Sequence, residues 1–224
     1  MKLAYRLIEA EEAGPSAVLV HGQGGVPIDE LTGFARRCGL GGTLVVPFGD
    51  YATTPSGMEV GGACWYRSLP GDAGTDPLTL TRAVVQVADL LADVGLDRPV
   101  LVGWRQGATV AIGVALLAPM ATGGVVAVDV PSAHLCLLPA ALTVAVGAPP
   151  VLLAVTGSVE GVDAGAALDE LTRRGMPVVI GHEPDVAGSE AADRENDGVM
   201  GDAVGSFVRT AIDWAGAGGS TSTP

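Results

Sequence analysis

The chain has 224 residues, 48% hydrophobic but only 4% aromatic, and its 25 acidic residues against 12 basic ones give a net charge of −13. That length suits one domain with a large core of Val, Leu, Ala and Ile, and is too short for two comfortable ones. The acidic balance argues against a nucleic-acid partner or an anionic membrane surface, and by itself it selects no substrate.

Three cysteines, Cys38, Cys64 and Cys136, have no CxxC spacing. Neither a zinc site nor a disulfide framework is suggested, so no metal and no cofactor are expected, in a reduced cytoplasmic setting. Lys2 is followed closely by Glu9, Glu11 and Glu12, which does not read as a signal peptide. Segments 106–128 and 130–159 carry no Lys, Arg, Asp or Glu, but Gly and Pro interrupt both. Buried strands and helices explain them better than membrane spans.

Taken in order, Leu3–Ile8 reads as an edge strand. Ala17-Val18-Leu19-Val20 is a continuous apolar run, the pattern of a strand covered on both faces, and it leads into the loop His21-Gly22-Gln23-Gly24-Gly25. A helix is predicted from about Asp29 to Cys38 and a buried strand over Thr43–Pro47. From Phe48 to Asp76 a long loop with little periodicity contains Cys64-Trp65-Tyr66, and a loop of that length is usually functional. Asp76-Pro77 has the form of an N-cap with proline at the first helical position. Leu80, Val84, Val87, Leu91 and Val94 then mark an amphipathic helix ended by Gly95.

The next apolar run, Val100-Leu101-Val102-Gly103, turns sharply through Trp104-Arg105-Gln106-Gly107 into a helix reaching about Leu117. Strands are predicted at Gly124–Val130, Val151–Thr156 and Pro177–Ile180, and helices at Ala164–Arg174 and about Val199–Ala215. Residues 1–215 thus read as a single domain, with a disordered Gly/Ser/Thr tail at 216–224. Alternating strands and helices mean an α/β fold, with a mainly parallel sheet and helices on both faces.

Four motifs stand on this frame in a telling order. They are His21-Gly22-Gln23-Gly24-Gly25, then Gly103-Trp104-Arg105-Gln106-Gly107-Ala108, then Thr156-Gly157-Ser158-Val159-Glu160, and last Gly181-His182-Glu183. Together they resemble the small carboxylesterase and phospholipase branch of the α/β-hydrolases, the acyl-protein-thioesterase-like family. Its elbow has the form Gly-Phe-Ser-Gln-Gly-Ala and presents a serine above the sheet. The resemblance covers roughly residues 15–215 and departs from the pattern at the nucleophile, where Arg105 stands for serine.

That resemblance implies His182 as the catalytic base and Glu160 as its acid, with Asp163 the less favoured acid. It implies an oxyanion hole formed by the backbone N–H groups of Gln106 and Gln23, flanked by Gly22 and Gly24. Trp65 and Cys64 are expected to line the site, whereas Trp104 is expected in the core. A guanidinium is always charged and donates only, so Arg105 is no nucleophile. Cys64 and Ser158 are the alternatives, but neither sits on a turn that presents it beside His182.

Three readings follow. The first is a non-hydrolytic homologue whose pocket takes a small anionic or acyl ligand. The second is an active hydrolase of small carboxylic esters or thioesters using His182 and Glu160 with another nucleophile. The third is a structural or partner-binding remnant whose pocket Arg105 closes. The expected partner is a small-molecule ester or anion, with no nucleic acid and no membrane span, and with a homodimer left open.

Overall fold

The computed structural model describes residues 3–10, 12–24, 27–52, 63–67, 75–139, 142, 149–155, 163–182 and 207. Strand β1 (Tyr5–Ile8) is followed by β2 (Ala17–Val20), helix α1 (Ile28–Arg37) and β3 (Leu44–Pro47). A short ribbon of β4 (Tyr51–Ala52) and β5 (Ala63–Cys64) precedes helix α2 (Pro77–Val94). Strand β6 (Val100–Trp104), helix α3 (Gln106–Leu117) and a 3-10 turn at Pro119–Ala121 lead to β7 (Gly124–Val128). Helix α4 (Ser132–Leu135), β8 (Val151–Val155), α5 (Ala164–Arg173) and β9 (Val178–His182) complete the described elements.

The main sheet has seven strands in the order β1-β3-β2-β6-β7-β8-β9. Only β1 is antiparallel, pairing along the edge of β3 with Tyr5 opposite Pro47. The strands are short and apolar because both faces are covered, and alternate side chains divide between two cores. In β6, Leu101 enters the core shared with α2 and α3, while Val100 and Val102 enter the one shared with α1. Helix α3 is buried along almost its whole length and apolar all round, because it lies between the sheet and α2.

Local signals in the sequence act as expected around α2. The Asp76 side chain accepts a hydrogen bond from Leu78 N, Pro77 takes the first turn, and Gly95 ends the helix with φ 66°. Three departures from the predicted elements bear on the site, beside shifts of a residue or two at other ends. The stretch after Phe48 is not wholly irregular, since Tyr51 and Ala52 pair with Cys64 and Ala63. Strand β7 stops at Val128 rather than Val130, because Asp129 turns to φ 49°. Strand β9 runs on to His182, because Gly181 and His182 continue the pairing with Ala154 and Val155. Of the predicted final helix, Phe207 alone is described; it is helical and packs into the α1 core. The rest of that helix and the predicted tail lie outside the described residues.

Helix α4 carries no amphipathic signal of its own and is held by a buried arginine. Arg174, 2% exposed, donates to the carbonyls of Leu135, Leu138, Pro139 and Leu142 and to Glu170 Oε1 at 2.6 Å. One side chain thus satisfies the end of α4, the chain beyond it and a buried carboxylate. Arg174→Met should lower the unfolding free energy by about 3–5 kcal/mol, since Glu170 and the carbonyls are left without that cation. The same change at the exposed Arg173 should leave the urea midpoint nearly unmoved. Comparable midpoints for the two variants would contradict this role for Arg174.

Candidate functional site

The strand order reverses between β2 and β6. The chain leaves β2 toward β3 on one side and leaves β6 toward β7, β8 and β9 on the other. Loops after two such strands diverge and open a crevice at their carboxyl ends. His21–Gly24 follow β2 and Arg105 follows β6, so two of the four sequence motifs meet at this point. His182 ends β9 on the same edge of the sheet, paired with Val155.

The turn at Arg105 requires its two glycines. A Cβ on Gly103 would lie 2.4 Å from the carbonyl oxygen of Gly107, and one on Gly107 would lie 2.1 Å from that of Val20. Nothing larger than hydrogen fits where the first turn of α3 crosses the two strands. Between them Arg105 is driven to φ 47° and ψ −110°, a conformation that costs an ordinary residue about 1–3 kcal/mol. It is tied down on both sides. Its N–H donates to Val128 O at 2.9 Å, and its carbonyl accepts from Ala108 N and Thr109 N. The side chain is exposed, and among the described residues the guanidinium makes no hydrogen bond or ion pair.

The loop after β2 is held against this turn by a neutral polar network. His21, 4% exposed, accepts from Gly49 N at Nε2 (3.2 Å), which leaves the proton on Nδ1 to be donated to Gly22 O at 2.7 Å. The Trp65 indole N–H donates to His21 O at 2.7 Å, and its ring stands 4.9 Å from the imidazole. Gln106 accepts from Trp65 N at 3.2 Å and donates to Tyr66 O at 3.4 Å. The side chain of Gln106 is therefore committed to the scaffold, while its backbone N–H, in the first turn of α3, has no partner within the helix. A Cβ on Gly22 would come within 3.9 Å of Arg105 Cβ, so Gln23 and Gly24 begin right beside the elbow, with Gly24 at φ 90°.

Trp65 is 2% exposed and Cys64 7%, the latter with its thiol pushed up by burial against an opposing hydrogen bond with the Gly24 backbone. Trp104 is half-buried, with its ring edge-on to Phe34 at 5.1 Å. Asp163 serves as the N-cap of α5, accepting from Ala166 N at 3.0 Å. Glu160 and Ser158 lie outside the described residues.

Two features escape a reading of motifs. Tyr66 Oη meets His134 Nδ1 at 2.8 Å, and Thr75 Oγ1 meets His134 Nε2 at 3.0 Å, which joins α4 to the segment before α2. Asp129, 7% exposed, follows β7, whose last residue Val128 pairs with Trp104 of the elbow strand. The signal for Asp129 was present: it is the one charge interrupting the apolar run between Arg105 and Glu160.

Burial holds both His21 and His134 below the ordinary imidazole range, for His21 against the opposing Gly22 hydrogen bond. In the unfolded chain both take up protons near the reference value of 6.5. The folded protein does so only at lower pH, so the unfolded state binds more protons and stability falls as pH drops through and below that value. His21→Gln keeps an acceptor for Gly49 N and removes the titration. Urea titrations between about pH 7 and 5 should therefore show a shallower loss of stability than wild type. An unchanged slope would rule out the neutral, buried His21.

No protein-family model matches the chain, and no curated protein matches it. Solved structures do. The Bacillus cereus carboxylesterase is 18% identical with a TM-score of 0.66, the match covering 90% of this chain and 94% of that one. A carboxylesterase from Mesorhizobium loti is 20% identical with a TM-score of 0.65, over 89% and 95% of the two chains. SOBER1 of Arabidopsis thaliana is 17% identical with a TM-score of 0.61, over 89% of this chain and 100% of that one. Identities this low speak for the fold alone. With its sheet order and its strand-to-helix elbow, the chain has the α/β-hydrolase fold of the carboxylesterases it is similar to.

Proposed function

We propose that the protein is a carboxylesterase-like α/β-hydrolase homologue without serine-hydrolase activity, whose site is kept as a receptor for a small anionic or acyl ligand. The observation that carries this reading is Arg105, an exposed cation on the strained turn where a hydrolase of this fold presents its serine. A guanidinium has five N–H donors and no acceptor, so it can neither attack a carbonyl nor pass a proton to His182. It binds carboxylate and phosphate well, and the residue that carries it directly precedes the first turn of α3.

The Gln106 N–H and the Gln23 loop support the same reading. In a hydrolase, two such N–H groups would face a developing oxyanion; here they would face a resident one. Because they belong to the backbone, they do not depend on which side chain occupies position 105. The exposure of Arg105 speaks for a receptor rather than for a plug that closes the pocket.

A single substitution separates the readings. Wild type should show no turnover of p-nitrophenyl butyrate and no labelling by a fluorophosphonate, and it should bind acetate or inorganic phosphate in a calorimetric titration. Arg105→Ser should weaken that binding by about tenfold or more, the weight of a charge-assisted pair, and should switch labelling on. Turnover and labelling by wild type would overturn the proposal in favour of a hydrolase with another nucleophile. Absence of anion binding by wild type would favour a remnant without a receptor, and binding unchanged in Arg105→Ser would overturn the part given to Arg105.

A further inference from the structure

Strand β1 is the outermost strand of the main sheet, and among the described residues it pairs on one side only, with β3. Phe48 N donates to Ala4 O at 2.9 Å, which makes Ala4 and Phe48 a hydrogen-bonded pair. Such pairs fall on every second residue of an antiparallel ladder, so Arg6 opposite Val46 and Ile8 opposite Leu44 are the next two. Tyr5 and Leu7 lie between them and turn their N–H and C=O groups to the outer edge. No proline or bulge interrupts the strand, so this edge is a template for another extended chain.

The side chains of the same two residues are uncovered. Leu3 is buried in the core shared with α2, and Tyr5 and Leu7 take its face at steps of two. Leu7 stands opposite the buried Val45, yet it is 48% exposed, and Tyr5 is 44% exposed. Between β1 and α2 lies a groove of about 460 Å³, with Leu3 and Tyr5 on one wall and Gln86, Asp89, Leu90 and Asp93 on the other. The charged residues described in its lining are both acidic and stand one helical turn apart. Asp93 has an interaction of its own, so the exposed Asp89 is the carboxylate on which the argument for a cation rests. Arg82, the basic residue of α2, is held by Asp50 at 3.3 Å.

We propose that this edge docks an extended cationic segment of a partner protein, which adds to β1 as an antiparallel strand. The site is separate from the elbow and does not depend on Arg105. Backbone pairing gives such a strand its affinity, and its alternate side chains give it specificity. Residues directly opposite Tyr5 and Leu7 exchange N–H···O bonds with them and point to the α2 face. Lysines there lay their aliphatic stems along Tyr5 and Leu7 and carry their ammonium groups toward Asp89 and the Tyr5 ring. A second copy of this chain fits poorly, because each copy has a net charge of −13 and would bring its own Asp89 to the same face.

A blocked heptapeptide of alternating lysine and threonine, titrated into the full chain, tests this. It should bind at least about tenfold more tightly than its glutamate–threonine counterpart. NMR-detected hydrogen exchange should show the Tyr5 and Leu7 amides becoming protected on binding, since both gain partners. Methylating the backbone nitrogens of the lysines keeps every charge but removes the donors, and should weaken binding at least about tenfold. Asp89→Asn, at an exposed helical position, should weaken it about two- to fivefold.

No binding of the lysine peptide, or equal binding of the glutamate peptide, would overturn the proposal. Binding that survives backbone methylation, leaves the two amides unprotected or is unchanged in Asp89→Asn would overturn it as well, as mere attraction to an acidic surface. Protection of the same amides in the protein alone, rising with its concentration, would give the edge to a second copy instead.

Discussion

The contact on which the site depends is the crossing of the first turn of α3 over the ends of β2 and β6. A Cβ on Gly107 would overlap Val20 O, and one on Gly103 would overlap Gly107 O, so the helix can sit there only as bare backbone. That closeness makes the turn abrupt. Trp104 is still a strand residue and Gln106 is already helical, which leaves Arg105 alone to change direction. Its positive φ follows from this geometry, and no property of an arginine side chain favours it. The position would impose the same conformation on a serine.

Around this point the protein uses neutral hydrogen bonds where it needs rigidity. His21 is buried with each ring nitrogen in a defined role, accepting from Gly49 N and donating to Gly22 O. Such an arrangement suits an uncharged imidazole, and burial keeps it uncharged. Trp65 and Gln106 extend the same network to the end of β5. The loop beside the elbow is thus anchored from three segments that are distant in sequence, while the backbone N–H of Gln106 stays out of the network. Charge holds chain segments together elsewhere, in the Glu170–Arg174 clamp below α4 and between Asp50 and Arg82 of α2, while Arg105 and Asp129 stand at the carboxyl edge of the sheet.

A single residue type decides what a hydrolase-like frame can do. An elbow serine offers a proton to a base and an electron pair to a carbonyl. An elbow arginine offers neither, but it adds a permanent positive charge to a place already rich in N–H donors. The frame need not change for the chemistry to change, because the turn is set by backbone packing. This is why the likeness to carboxylesterases speaks for the fold, and why the function has to be argued from the site.

Much of this protein is legible in the sequence because the signals are local. Apolar runs marked β2, β3, β6 and β8, Asp76-Pro77 and Gly95 bounded α2, and the order of glycine-containing motifs pointed to the fold and to Arg105. What the sequence alone could not decide is which residues face one another. Helix α4 lacks an apolar stripe and owes its place to Arg174, far along the chain. The β4–β5 ribbon is too short to carry a period. Trp65 and Gln106 read as site residues, but their hydrogen bonds to each other and to the His21 loop exist only in three dimensions. The placing of Trp104 opposite Val128 across two strands is the clearest case. Periodicity along a strand determines which face a residue takes, but its neighbour is set by the register of a parallel sheet, and register is a property of the assembled core.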